Sequence, residues 1–336
     1  MLRVHFTAED LARVRVASRP DFLWEITNSM QTLQRRDGAR VFGEWRRWAR
    51  PRVADSGRLL SHLLPPSGYS PDFLTPTRGD RGTLQSAVDT LLRTPRPRLR
   101  ADLARMAAYR ELPRWAVSMA GGDSAALRRL AQAMQAYHHT AIAPYWRRIQ
   151  AHIDADRIQR LHDLLDGGTD GLLEGLGPAV RWEPPVLEAP YPVEHEIRLD
   201  GRGLTLVPSF FCWPRPFTLA DPGLPPVLVY PIEHTADWAL PRPGDRAAPA
   251  DDALGALGAL LGHTRAAVLR AAATGCSTVE LARLLDVTHP AISRHVSVLR
   301  DAGLVVTVRR GGRSFHVATQ EGRVLLRSAG RGELPS

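Results

Sequence analysis

The chain has 336 residues, 44% of them hydrophobic and 24% charged, enough apolar material for two domains with cores of their own, which excludes a disordered polyelectrolyte. Its basic residues are all arginine, and 44 of them against 35 acidic residues leave a formal charge of +9. The resulting pI near 10.5 admits a nucleic-acid partner without requiring one, since arginine and alanine usage also follows genomic composition.

The two cysteines, Cys212 and Cys276, have no CxxC or CxC companion, so neither a disulfide framework nor a thiolate metal site is indicated. A reducing cytoplasm is the expected compartment. The opening stretch "MLRVHFTAEDLARVRV" places Glu9 and Asp10 where a signal peptide needs an apolar core, and no apolar run reaches the roughly 18 residues of a membrane span.

From Thr7 to about Asp166 the pattern is helical. Thr7, three residues before Asp10, forms a capping-box-like start, and Phe22, Ile26, Met30 and Leu33 share one helical face. Pro51, Pro65, Pro66, Pro71 and "RTPRPRLR" cut this region into short helices. The stretch from Asp123 to Gly168 reads as one or two long helices interrupted near Pro144, with Arg147, Arg148, Arg157 and Arg160 mostly on a solvated face. His138, His139, His152, Asp154 and Asp156 have no recognised metal-ligand spacing, so no metal is expected there. Trp24, Phe42, Trp45, Trp48, Trp115, Tyr145 and Trp146 suit either a small-molecule pocket or a helical core, the core being the plainer reading.

The character changes at "DGGTDGLLEGLGPAV". Beyond it, "VEHEIRLDGRGLTLVPSFFCW" holds two β-rich runs, and Asp200-Gly201-Arg202-Gly203 predicts that they pair as a hairpin. Alternation along Glu194-His195-Glu196 points His195 away from both carboxylates, a solvated strand rather than a catalytic triad. "PPVLVYPI" reads as a further strand. Residues 241–252, "PRPGDRAAPADD", have the composition of a linker, which sets the expected domains as an α+β domain over 1–240 and a second domain over 253–330.

Three helices and a hairpin follow. Ser277 with Glu280 is a capping box that starts a helix at Thr278 and carries it through Leu285. Asp286-Val287-Thr288 forms a turn, with Thr288 as N-cap of the next helix and Pro290 in its first turn. Ile292, Val296 and Leu299 fall on one buried side. The outer side is left with His289, Pro290, Ala291, Ser293, Arg294, Ser297 and Arg300. Small side chains beside basic ones permit close approach to the major groove, where arginine bonds guanine bidentately. Arg300 could instead pair with a nearby acid, and His295 is read as a packing residue. After Gly303, "LVVTVRR" and "RSFHVAT" flank Gly311-Gly312 as a hairpin whose tip carries Arg309, Arg310 and Arg313, suited to phosphates.

In "ELARLL", "SRHVSVLRDAGLV" and the Arg-Gly-Gly-Arg turn, residues 253 to 320 resemble the winged helix-turn-helix of ArsR-type transcriptional regulators. The resemblance implies that His289, Pro290, Ser293 and Arg294 face DNA from the recognition helix, with Arg310 and Arg313 in the wing. It also implies a homodimer on a pseudo-palindromic double-stranded DNA operator. Unlike the metal sensors of that family, this chain carries only Cys276 near the helix before the recognition helix and has a short tail, so metal sensing is not expected. "WRRIQAHIDADRIQRL" and "LDGRGLTLVPSFFCW" resemble the domains that precede such heads in actinobacterial regulators.

The expected fold is therefore mainly α with β: a helical N-terminal region, a β-hairpin-containing segment, and a C-terminal winged helix-turn-helix. The expected function is a DNA-binding repressor that senses an unknown small-molecule effector or partner, with no cofactor and no catalytic residue. Leu254, Leu257, Leu260 and Leu261 are the expected dimer contact. An enzyme in residues 1–240 carrying a DNA-binding head is the alternative, and a protein-interaction role for the winged helix is a third. No phosphate-cradling glycine loop, GxSxG or HExxH motif names an enzyme class.

Overall fold

The computed structural model describes residues 1–76, 82–178, 180–235, 238–239, 252–273, 275–310 and 313–330. The chain divides into two compact units, Met1–Leu240 and Pro241–Ser336. The linker expected over 241–252 lies, up to Asp251, outside the described residues, and Asp252 opens a helix. The architecture is the expected mixture, helical in its N-terminal part, then strands, then C-terminal helices with a hairpin.

The first unit opens with strand β1 (Leu2–His5), one turn of helix α1 (Ala8–Leu11) and strand β2 (Arg15–Val16). Thr7 and Asp10 close the capping box reciprocally, so α1 satisfies its own end despite its length. Helices follow as α2 (Phe22–Gln34), α3 (Ala39–Ala49), α4 (Ala54–Ser61), α5 (Leu84–Leu92), α6 (Arg96–Ala107), α7 (Arg114–Ala120) and α8 (Ser124–Tyr137). Around Pro144 the chain passes through a wide turn and a tight one before α9 (Trp146–Glu174), which breaks at Gly168. The interruption falls where the proline predicts it.

Strands β3 (Arg181–Glu183), β4 (Val186–Ala189), β5 (His195–Arg198), β6 (Thr205–Ser209), β7 (Phe217–Thr218) and β8 (Val227–Pro231) complete the unit. They form two sheets, in the orders β3-β4-β1-β5 and β2-β6-β8-β7. The hairpin expected across Asp200–Gly203 is therefore absent: β5 lies parallel to β1 in one sheet and β6 parallel to β2 in the other. Asp200 and Gly201 do take positive φ, but the turn is clamped against the N-terminal segment. Asp10 Oδ1 accepts from the Gly203 amide at 2.8 Å, Arg13 donates to the Gly201 carbonyl at 2.6 Å, and a Cβ on Gly203 would stand 2.5 Å from Arg13 Cβ. The Asp-Gly signal set the bend and not the pairing. The hairpin of this region is instead β3–β4, antiparallel across Pro184-Pro185.

Helix α2 is buried on nearly every side, from Leu23 to Leu33. Phe22, Ile26, Met30 and Leu33 do line its apolar side, but Glu25, Thr27, Asn28, Ser29 and Thr32 are buried as well. Each of these finds a partner. Glu25 accepts the amides of Phe210 and Phe211 at 2.9 and 3.1 Å, Asn28 donates to Ser209 Oγ at 2.8 Å, and Thr32 Oγ1 donates to the Phe211 carbonyl at 3.1 Å. Arg46 and Arg50 of the α3 region donate to the carbonyls of Thr32 and Leu33, the last turn of α2, where cations are favoured.

Arg160 departs from its expected solvated face. It lies buried on the inner side of α9 with Ile149 and Ile153, held by Asp163 at 3.2 Å and Asp156 at 3.6 Å, while Asp156 accepts from the Tyr230 hydroxyl at 2.6 Å. A guanidinium is tolerated there only because it is paired. Arg148 is half-buried and donates to the Trp238 carbonyl.

Burial lifts the Glu25 carboxyl to about 7, so it is largely neutral in the folded protein at pH values where it is ionised in the unfolded chain. The folded state then holds the extra proton between pH 4.5 and 7, and the stabilisation is lost as pH rises through that window. Buried His138 and His234, both pushed down to about 4, act in the opposite direction. We therefore expect the unfolding free energy of the wild type minus that of Glu25→Gln to fall as pH rises through this window, measured by urea titration at each pH. A flat difference would place the proton elsewhere.

Candidate nucleic-acid interface

The second unit contains α10 (Asp252–Leu261), α11 (His263–Ala272), β9 (Cys276–Ser277), α12 (Thr278–Leu285), α13 (His289–Asp301), β10 (Val305–Arg310), β11 (Arg313–Ala318) and α14 (Gln320–Gly330). Ser277 and Glu280 make the capping box reciprocally, fixing where α12 begins. Asp286 ends it in the left-handed region at φ 51°, which turns the chain sharply into α13. Thr288 holds the N-cap position of α13 with extended backbone angles but without a side-chain cap bond, so the helix start is set by its backbone and by Pro290.

Ile292, Val296 and Leu299 are 0%, 3% and 1% exposed and pack with Leu281, Val268, Leu269 and Val305 in the core of this unit. Because α13 buries that side, its opposite side is presented outward. Thr288, His289, Pro290, Ser293, Arg294 and Arg300 are exposed, and Ser297 is half-buried. Arg294 makes no hydrogen bond or ion pair with another described residue. Arg300 is engaged with its own helix, donating to Ser297 Oγ at 3.0 Å and standing 3.6 Å from Asp301. Among the described residues, its guanidinium is the basic group of this face that has an internal partner to give up. His295 is half-buried, between the outward face and the core.

Strands β10 and β11 pair antiparallel from Val305↔Ala318 to Arg310↔Arg313, so the backbone brings Arg309, Arg310 and Arg313 to the closed end of the hairpin. Gly311 and Gly312 at its tip lie outside the described residues. Strand β9 adds to β11 on the other edge. His316, not singled out in the sequence, is 5% exposed and bridges these elements: one ring nitrogen meets Thr278 Oγ1 at 2.9 Å, the other Thr307 Oγ1 at 3.0 Å. Burial, reinforced by the charge of Arg300, holds its pKa below the ordinary value. The alternation of "RSFHVA", which puts His316 and Ala318 on the inward side, is the signal that identifies it.

Residues 261–308 match the helix-turn-helix domain family. The second unit carries a helix-turn-helix domain. The match runs from the end of α10 into β10, and it supports a DNA-binding regulatory role for this unit. Neither the curated proteins nor the solved structures hold a match.

The remaining candidates disperse. His138 is buried against Phe22 and Trp146, His139 is exposed, His152 bonds the Arg148 carbonyl and Thr235 Oγ1, Arg157 pairs with Asp154, and Asp156 serves Tyr230. Among the described residues no group of three such side chains could hold a metal ion. Cys212 is buried, and Cys276 points its thiol at the Ala271 carbonyl. The aromatic residues are spread through packing: Trp45 lies 4.6 Å from Phe211, Phe22 stacks on Trp146 at 4.5 Å, and Trp24 meets Phe217 in a separate apolar cluster. Glu194 and Glu196 are exposed and pair with Arg3, while His195 stacks on Tyr191. No helix of the described residues is long and apolar enough to cross a membrane.

The orientation of α13 depends on its buried side, so Leu299→Ala should cost about 2 to 5 kcal/mol of stability in the helix-turn-helix unit. The thermal transition of that unit should shift while that of the N-terminal unit stays. A variant melting as the parent does would mean that Leu299 does not anchor the helix.

Proposed function

We propose that the protein is an ArsR-like repressor that binds a pseudo-palindromic operator as a homodimer, with α13 in the major groove and the β10–β11 wing along the phosphates. The observation that carries this reading is the outward face of α13, where Ser293 and Arg294 are exposed beside His289 and Pro290. Small residues let the helix approach base edges, and an unengaged arginine can bond guanine O6 and N7 together. The wing arginines add charge that tracks the backbone without reading sequence. Arg300 contributes after releasing Asp301.

In this proposal the N-terminal unit senses a small-molecule effector or a partner and catalyses nothing. Its ligation state shifts the spacing of two recognition helices, which must match about one turn of DNA, near 34 Å, to engage both half-sites. The expected leucine contact is narrowed by the packing of α10: Leu257 is buried in the unit's own core and Leu261 is half-buried against it, whereas Leu260 is 70% exposed. The side chain of Leu254 lies outside the description. Among the described members of that set, Leu260 is thus the one available to a partner.

Binding to the protein's own promoter region and to scrambled DNA of equal length, across a range of salt, tests the reading. Arg294→Ala should reduce the preference for promoter by about 1 to 3 kcal/mol. Arg310→Ala should weaken binding to both DNAs alike and lower the salt slope by about 1. Equal binding of both DNAs by the parent, or variants indistinguishable from it, would overturn the assignment of these residues.

A further inference from the structure

Helix α9 is apolar on two opposite sides. Ile149 and Ile153 face the core of the N-terminal unit and are fully buried. On the outer side Ala151, Ala155, Ile158, Leu161 and Leu165 recur at helical spacing, and Ile158, Leu161 and Leu165 are 57%, 52% and 72% exposed. A helix with a single neighbour carries polar residues on its outer face, so an outer stripe of this kind marks a second neighbour. From Ala151 to Leu165 the stripe is about 21 Å long.

We propose that this stripe is an interface between two copies of this chain, packed antiparallel with the two-fold axis at Ile158. Under that operation the apolar positions of the stripe are complementary, and Asp154 of one copy, half-buried on the same face, comes opposite exposed His162 of the other. With Ile158 against Ile158, Ala155 of one copy faces Leu161 of the other, and Ala151 faces Leu165. On both sides of the axis each leucine thus meets an alanine, while the two Ile158 side chains meet on the axis itself, as an isologous interface requires. A parallel pair would set leucine on leucine at one end and alanine on alanine at the other, leaving the alanine end open. Charge follows the same order: exposed Arg147 stands before the alanine end and exposed Asp166 after the leucine end, so the antiparallel pair joins opposite charges where a parallel one would join like charges. An unrelated partner would have no reason to match this palindrome of sizes.

The stripe is narrower than the roughly 800 Å² per partner of a standard interface, so the pair forms reversibly and depends on concentration. The proposal does not rest on the DNA-binding reading. Where both hold, the pair ties two helix-turn-helix units into one particle.

The test is analytical ultracentrifugation of the full chain without DNA over a wide concentration range. The parent should rise from the 37.1 kDa chain mass toward twice that value. Ile158→Arg, which puts two like charges on the axis, should stay at the monomer mass with an unchanged circular dichroism spectrum. Ala155→Leu and Leu161→Ala should each weaken the dimer, and together restore it, because the exchange preserves the pairing. As an independent readout, Ile158→Cys should form a disulfide-linked dimer on oxidation. A parent that is monomeric throughout would overturn the proposal. So would an Ile158→Arg protein that dimerises like the parent, which would place the contact elsewhere in the chain, or an exchange weaker than either single change.

Discussion

A helix surrounded by protein can carry polar side chains only where each one finds a fixed partner, and α2 imposes that condition on the whole N-terminal unit. Glu25, Asn28 and Thr32 are matched by the amides, hydroxyl and carbonyl at the end of β6, from Ser209 to Phe211. An amide or hydroxyl left unpaired in such a site costs about 1 to 3 kcal/mol, so the register of β6 against α2 is specified several times over. The aromatic cluster around Phe42, Trp45, Phe210 and Trp238 then packs onto a frame already set by hydrogen bonds. This is why the aromatic residues form an interior and not the lining of one cavity.

In the helix-turn-helix unit the governing constraint is apolar. Burying Ile292, Val296 and Leu299 leaves α13 one rotation about its axis, and that rotation selects which residues face outward. The αL residue Asp286 and the capping box at Ser277 set where the two helices stop and start, while His316 joins the first of them to both wing strands through two threonine hydroxyls. Helix position, helix rotation and wing position are thus set by separate contacts around one small core.

Much of this was legible in the chain because it is local. Both capping boxes, the break near Pro144, the span Thr278–Leu285 and the buried triad of α13 follow from residues within a few positions of each other. What escaped is non-local or depends on pairing. Strands β1 and β2 are too short to carry a periodic signal and exist because β4, β5 and β6 receive them. The Asp200–Gly203 turn predicts a hairpin between its flanking runs, yet those runs pair with strands nearly two hundred residues upstream. The residue type of Arg160 predicts a solvated face; only Asp156 and Asp163 make its burial tolerable. The outward face of α13 followed directly from periodicity, whereas the engagement of Arg300 with Asp301 could be decided only by geometry.

The parallel alignment of β1 with β5 and of β2 with β6 has a consequence for how the chain is made. Leu2 pairs with His195 and Arg15 with Thr205, so the first sixteen residues have no sheet to join until most of the unit has been synthesised. At 5 to 20 residues per second the ribosome takes roughly 10 to 40 s to cover that interval. Throughout it the opening strand waits with unpaired edges while the helices from α2 to α9 can form behind it, and closure of this unit becomes a late event of translation. Its loop-closure entropy falls due only then.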